Sequence, residues 1–165
     1  MKNRSILLLV CVLAVTACNK PQETKTNEQP STTIAANDLP AMTITSLDGN
    51  QFSARNLTGK NIIIMFQPDC DHCQREAKQI GENINAFKDY QLYFVSSATR
   101  EELQKFASEY ILDKFSNVHF GSTSVNDVIN TYGQIETPSI DIYDDRKLVQ
   151  KFNGEVEISE VIKHL

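Results

Sequence analysis

The stretch "NIIIMFQPDCDHCQREAKQI" (61–80) carries three signals in succession. It opens on "NIIIMF" (61–66), a short apolar run of the kind that suits a central strand buried on both faces. It closes on a helical pattern: Cys73, Ala77 and Ile80, followed by Ile84 and Phe87, recur at steps of four, three, four and three, which is one face of a helix. Between these lie Cys70 and Cys73, three apart, with Asp71 and His72 between them. The strand therefore runs into a cysteine turn, and the turn into a helix.

Outward from that junction the chain keeps alternating. "MTITSLDGNQFSA" (42–54) has strand-like pieces around Asp48-Gly49, a good hairpin turn. "QLYFVSS" (91–97) is the next strand, and Thr99 with Glu102 forms a capping-box pattern ahead of Leu103, Phe106, Ala107 and Tyr110 at helical spacing. "NVHFG" (117–121) reads as a short strand. Val125, Val128, Ile129 and Tyr132 mark another helix, with Gly133 placed to end it. "SIDIY" (139–143) and "KLVQKF" (147–152) flank Asp144-Asp145-Arg146 as a hairpin, and Ile158, Val161, Ile162 and Leu165 give a last amphipathic helix. Strands alternating with helices imply an α/β fold, a mixed central sheet with parallel pairs and helices on its faces, preceded by an N-terminal β-hairpin.

The chain has 165 residues, 41% hydrophobic and 22% charged, with a formal net charge of −5. That is enough apolar material for a real core without disulfide staples. A mildly acidic balance gives no electrostatic reason to expect a nucleic acid partner. Residues 1–18 read as an export signal: Lys2 and Arg4, then the apolar "SILLLVCVLAVTA" (5–17), shorter than the ~20 residues a membrane span needs. The run ends "VTAC" (15–18), which resembles the bacterial lipobox. That resemblance implies lipid on Cys18 as the mature N-terminus, and a protein exported and lipid-anchored to a bacterial membrane, facing the periplasm or cell exterior. Residues 19–38, rich in Thr, Asn, Gln, Glu and Pro, read as a flexible tether, and residues 39–165 as the folded domain. Cys11 goes with the signal, so only Cys70 and Cys73 remain in the mature domain, in a compartment where disulfides persist.

A cysteine pair at this spacing can attach haem, hold a metal, staple a loop or shuttle electrons. Haem attachment wants His directly after the second cysteine, and Gln74 stands there. A structural zinc wants four ligands; His72 lies within the pair, but His119 and His164 are far off in sequence, and no metal is expected. Redox chemistry fits the local structure best. Residues three apart on a helix are neighbours, at a separation that a disulfide tolerates. Cys70 at the helix start is expected to be the more exposed sulfur, with free N–H groups and the helix dipole favouring its thiolate. Thiols in such settings fall from ~8.5 to roughly 3.5–7.5, and the thiolate is the attacking species in disulfide exchange. Cys70 can then attack and Cys73 resolve the mixed disulfide. A protonated His72 would stabilise the Cys70 thiolate; Asp69 and Asp71 would oppose it, so the redox direction stays open.

Strand, C-x-x-C, helix and then "IETPSIDIY" (135–143), a Thr-Pro ahead of a strand, together resemble a thioredoxin-fold protein. The resemblance implies that Pro138 is cis and faces the cysteines, and that Thr137 offers its backbone to a bound substrate strand. The lipoprotein signal, tether and N-terminal hairpin narrow the likeness to membrane-anchored TlpA/ResA-like thiol–disulfide oxidoreductases. Many of these carry a glutamate three residues after the second cysteine, where Glu76 stands; in that family it lies near the sulfurs and helps move protons. The implied activity is disulfide exchange with exported proteins, with a membrane-bound redox partner and no cofactor beyond the Cys70–Cys73 disulfide. Three features depart from ordinary thioredoxins: Asp69 replaces the aromatic before the first cysteine, Ile64 stands where the preceding strand carries a buried acid, and the chain has no Trp. The alternatives are a thioredoxin-like binding lipoprotein with a structural disulfide, a thiol-dependent peroxidase, for which Gln67 replaces the usual threonine, and a copper carrier.

Overall fold

The computed structural model describes residues 37–165; the readings for residues 1–36, including Cys18 and most of the 19–38 segment, lie outside them. Fourteen short segments follow the order read from the sequence. A hairpin of β1 (Thr43–Ser46) and β2 (Gln51–Ser53) turns at Gly49, whose φ of 92° suits glycine. A 3-10 turn (Ala54–Asn56) leads to β3 (Asn61–Met65), then α1 (Asp71–Glu82), a 3-10 turn (Ile84–Phe87), β4 (Gln91–Ser96), α2 (Arg100–Glu109), a 3-10 turn (Leu112–Lys114), β5 (Val118–Ser122), α3 (Val125–Tyr132), β6 (Ser139–Asp144), β7 (Lys147–Asn153) and α4 (Ile158–Ile162).

The seven strands form one sheet in the order β2-β1-β5-β4-β3-β6-β7. β3 pairs in parallel with β4, and β4 with β5; the other pairings are antiparallel. β3 is therefore an interior strand with a neighbour on each side, and all five of its residues are buried, as its unbroken apolar run predicts. Its side chains alternate between two cores. Ile62 and Ile64 join Leu92, Phe94 and Ile140 beneath α1, α2 and α4. Ile63 and Met65 join Met42, Ile44, Val95 and Tyr143 on the other face, which α3 covers only in part through Val128 and Tyr132. Phe66, just past β3, packs against Phe106 (ring centroids 4.7 Å apart) and edge-on to Phe94 (5.6 Å), so the chain enters the cysteine turn from a fixed aromatic anchor.

Local signals act as read. Thr99 and Glu102 make both bonds of the capping box, and Gly133 caps α3 with φ 71°. The β6–β7 turn places both Asp145 (φ 44°) and Arg146 (φ 70°) in the left-handed region, the geometry of a two-residue hairpin. That turn also holds the start of the domain: Asp38 donates its N–H to the Arg146 carbonyl (2.9 Å) and accepts the Leu148 N–H on its carboxylate (3.2 Å).

Two helices differ from the sequence pattern. α1 stops at Glu82 instead of running to Phe87, because Asn83 leaves helical geometry and its side-chain amide donates to the Gln79 carbonyl (2.9 Å). The following 3-10 turn still carries Phe87 into the core. α3 has the apolar stripe but no buried residue; Val125 and Ile129 are each 56% exposed.

β1 closes against β5 through Gly121. A Cβ there would meet Ile44 Cγ2 at 2.4 Å and the Thr45 carbonyl oxygen at 3.1 Å. Gly121→Ala is therefore expected to lower stability by about 1–3 kcal/mol through overpacking. Urea denaturation of the variant checks this, and an unchanged midpoint would mean that β1 yields freely.

Candidate functional site: the Cys70–Cys73 turn

The turn from β3 to α1 is fastened on both sides. The Cys70 N–H donates to the Gln67 carbonyl (3.2 Å), and Gln74 Nε2 donates to the Pro68 carbonyl (2.9 Å). The Gln67 side chain is itself clamped to the end of β4: it accepts from Ser96 Oγ (3.0 Å) and donates to Ser97 Oγ (3.2 Å).

Cys70 occupies the N-cap of α1, a place more often filled by Ser, Thr, Asp or Asn. Its φ of −91° and ψ of 115° are extended, and its sulfur accepts the Cys73 backbone N–H at 3.3 Å. The same Sγ lies 3.7 Å from the Thr137 carbonyl oxygen, to which the thiol donates. Cys70 is partly exposed, Cys73 is 3% exposed, and both are free thiols. Burial first, and the hydrogen bond with Cys70 second, push the Cys73 thiol up to about 12; the Gln67 backbone N–H offsets part of this, and negative charge on Cys70 adds to it. The two sulfurs are thus unlike: one reachable and capped by a donor, the other buried and holding its proton.

Thr137 and Pro138 are joined by a cis peptide bond, and the Thr137 carbonyl lies against Cys70. The Pro138 carbonyl accepts the Gly154 N–H (2.9 Å), which links this segment to the end of β7. Glu76, one turn beyond Cys73, is 1% exposed, and neither carboxyl oxygen has a hydrogen-bond partner of ordinary geometry. Desolvation pushes it up to about 8; the nearby Val156 backbone lowers it somewhat and Glu155 raises it. His72 is exposed. Its Nδ1 meets Glu155 and lies 2.8 Å from Arg75 Nη2, while Arg75 donates twice to Glu155 at 2.7 Å. Those hydrogen bonds, Arg75 first and His72 second, hold the Glu155 carboxyl down to about 2.

Sequence reasoning did not name Gln67 as a clamp, nor Arg75 and Glu155. It noted the acid absent at Ile64; besides Glu76, a buried carboxylate stands at Asp141 on β6, opposite Ile63 and so facing the other core. Burial raises its pKa, and Lys151, 3.1 Å from Oδ1, opposes that. Among the described residues no three or more His, Cys, Asp or Glu side chains gather as a metal site would need.

Residues 35–152 match the family model described as the AhpC/TSA family. The chain belongs to the AhpC/TSA family. No curated protein matches it. Solved structures that resemble this AhpC/TSA chain include a secreted disulfide oxidoreductase of Mycobacterium tuberculosis (18% identity, TM-score 0.63, covering 75% of this chain and 93% of that one). The thioredoxin domain of a thiol–disulfide oxidoreductase from Bacteroides vulgatus is similar (23% identity, TM-score 0.62, 78% and 96%). So is the copper-bound ScoI of Arabidopsis thaliana (14% identity, TM-score 0.60, 77% and 97%). The fold is thioredoxin-like: among the described residues, a seven-stranded mixed sheet with four α-helices.

Glu76 sets a pH dependence. Its folded pKa lies above the ordinary value of 4.5, so the fold favours the protonated acid. Its contribution is fully present below about pH 4.5 and is lost as pH rises toward about 8. Glu76→Gln, neutral throughout, is expected to remove that decline and to be the more stable protein above pH 8. Urea midpoints of both proteins across this range test the assignment; parallel curves would contradict it.

Proposed function

We propose that this protein is a membrane-tethered, TlpA/ResA-like thiol–disulfide oxidoreductase, working outside the cytoplasm on the thiols or disulfides of exported proteins. The observation that carries the reading is the asymmetry of the pair: Cys70 partly exposed at a helix N-cap, Cys73 buried one turn behind it. In the reducing direction the Cys70 thiolate attacks one sulfur of a substrate disulfide. A Cys70–substrate disulfide forms and one substrate thiolate leaves, taking up a proton. Cys73 then loses its proton and attacks Cys70 Sγ. The Cys70–Cys73 disulfide forms and the second substrate thiol departs. One substrate disulfide has gained two electrons and two protons, and the protein dithiol has lost them. The oxidising direction is the same sequence reversed.

Burial gives Cys73 its resolving role, since its proton is hard to remove until a partner occupies Cys70. Glu76, raised to about 8, stands on the same helix face one turn on and is suited to take that proton as its carboxylate or to hold it as the acid. Thr137 leaves its backbone edge for a substrate strand. His72 is engaged by Glu155 and Arg75, so it acts as part of a charged rim around the turn. Cys18 carries the lipid, residues 19–38 form the tether, a membrane-bound partner resets the Cys70–Cys73 couple, and the disulfide is the only redox group required.

The peroxidase alternative gains nothing from Gln67, whose side chain is committed to Ser96 and Ser97. A purely structural disulfide fits poorly with a partly exposed Cys70.

The purified protein is expected to reduce insulin, and Cys70→Ser to abolish the activity. Cys73→Ser should accumulate a mixed disulfide with substrate that mass spectrometry detects. If the cysteine pair proves inert to thiol trapping and to several reductants, the oxidoreductase reading is wrong.

A further inference from the structure

The Thr137 backbone, which meets Cys70, borders two depressions with different linings. On the β4 side is a hollow of about 260 Å³ edged by Val125, Val128, Ile129 and Ile135. On the β7 side is one of about 560 Å³ edged by His72, Glu136, Gly154 and Glu155. Thr137 is the residue that the two linings share.

The β4-side hollow explains the odd exposure of α3. Its N-terminus is properly capped, with Ser124 Oγ accepting from the Asp127 N–H at 3.0 Å, yet Val125 and Ile129 remain 56% exposed. Apolar side chains exposed singly mean little. Two that stand one turn apart on the edge of a hollow that Thr137 also lines make a contiguous patch.

The β7 side is negative. Asp69 and Asp71 flank Cys70 and are exposed, and Glu136 and Glu155 lie across Thr137. The nearby Arg75 and His72 side chains are both bound to Glu155. Glu136 makes no ion pair among the described residues, which leaves it available. Gly154 (φ 77°) keeps the floor low beneath it: a Cβ there would meet Glu136 Oε2 at 3.3 Å.

We infer that this face selects a basic partner: an extended segment whose cysteine sits over Cys70, with an aliphatic side chain in the hollow beside α3 and a Lys or Arg side chain against Glu136. The inference rests on the oxidoreductase reading and adds the substrate class. Apolar contact with Val125 and Ile129 supplies affinity, and the carboxylates supply attraction on approach and reject acidic partners.

The test uses disulfide-linked homodimers of short synthetic peptides. Each has leucine on one side of the cysteine and two lysines, two serines or two glutamates on the other, made in both orders. The reduced full-length chain is expected to reduce the lysine peptide roughly fivefold faster than the glutamate peptide at low ionic strength. The gap should close in ~1 M salt, where the screening length falls to ~3 Å. Glu136→Lys should narrow or invert the ratio. Ile129→Ser should slow the leucine peptides relative to alanine ones. Equal rates for all three wild-type reactions overturn the docking inference and leave the oxidoreductase reading standing. Failure to reduce any peptide, and glutathione disulfide as well, removes both.

Discussion

A single donor–acceptor contact organises this molecule: the Cys73 backbone N–H pointing at Cys70 Sγ. A helix start leaves N–H groups that need acceptors. Here a thiol takes the place of the usual hydroxyl or carboxylate, so the atom that caps the helix is also the partly exposed sulfur of the pair. The surrounding parts hold that atom in place. β3 delivers the chain from the centre of the sheet, Phe66 anchors it in an aromatic cluster, Gln67 fixes the turn to β4, and Thr137 closes over it from β6. Thiols are weaker hydrogen-bond acceptors than hydroxyls, so the helix start depends more heavily on these neighbours.

The same geometry separates the two cysteines. One helical turn moves Cys73 from the rim to the core, and burial then keeps its proton on. Glu76, a further turn inward, is treated the same way: an acid without hydrogen-bond partners in an apolar setting stays protonated well above its ordinary range. The fold thus stacks two groups that release protons reluctantly along the helix behind one partly exposed sulfur.

Most of this frame was legible because it is written locally. The apolar run at 61–66, the capping box at Thr99 and Glu102, the stop at Gly133, the hairpin around Asp145 and the Thr137–Pro138 signature each depend on residues a few positions apart. Glu76 was half legible: the resemblance placed it near the sulfurs, while its burial on the face of Cys73, Ala77 and Ile80 is what the structure adds. Other contacts had no local trace. Glu155 lies 80 residues from Arg75, and Gln67 lies 29 from Ser96, so neither clamp follows from spacing. The exposure of α3 was also hidden, because an apolar stripe records what a helix could bury, not whether the sheet offers enough surface to cover it.

The anchorage of Asp38 on the β6–β7 turn bears on how force enters the domain. The six residues of β6 separate that turn from Pro138 by roughly 20 Å, at ~3.3 Å each. Tension applied through the leading end of the chain is therefore borne by the floor of the sheet, at the pole remote from the sulfurs. The Cys70 end of the domain lies outside that load path.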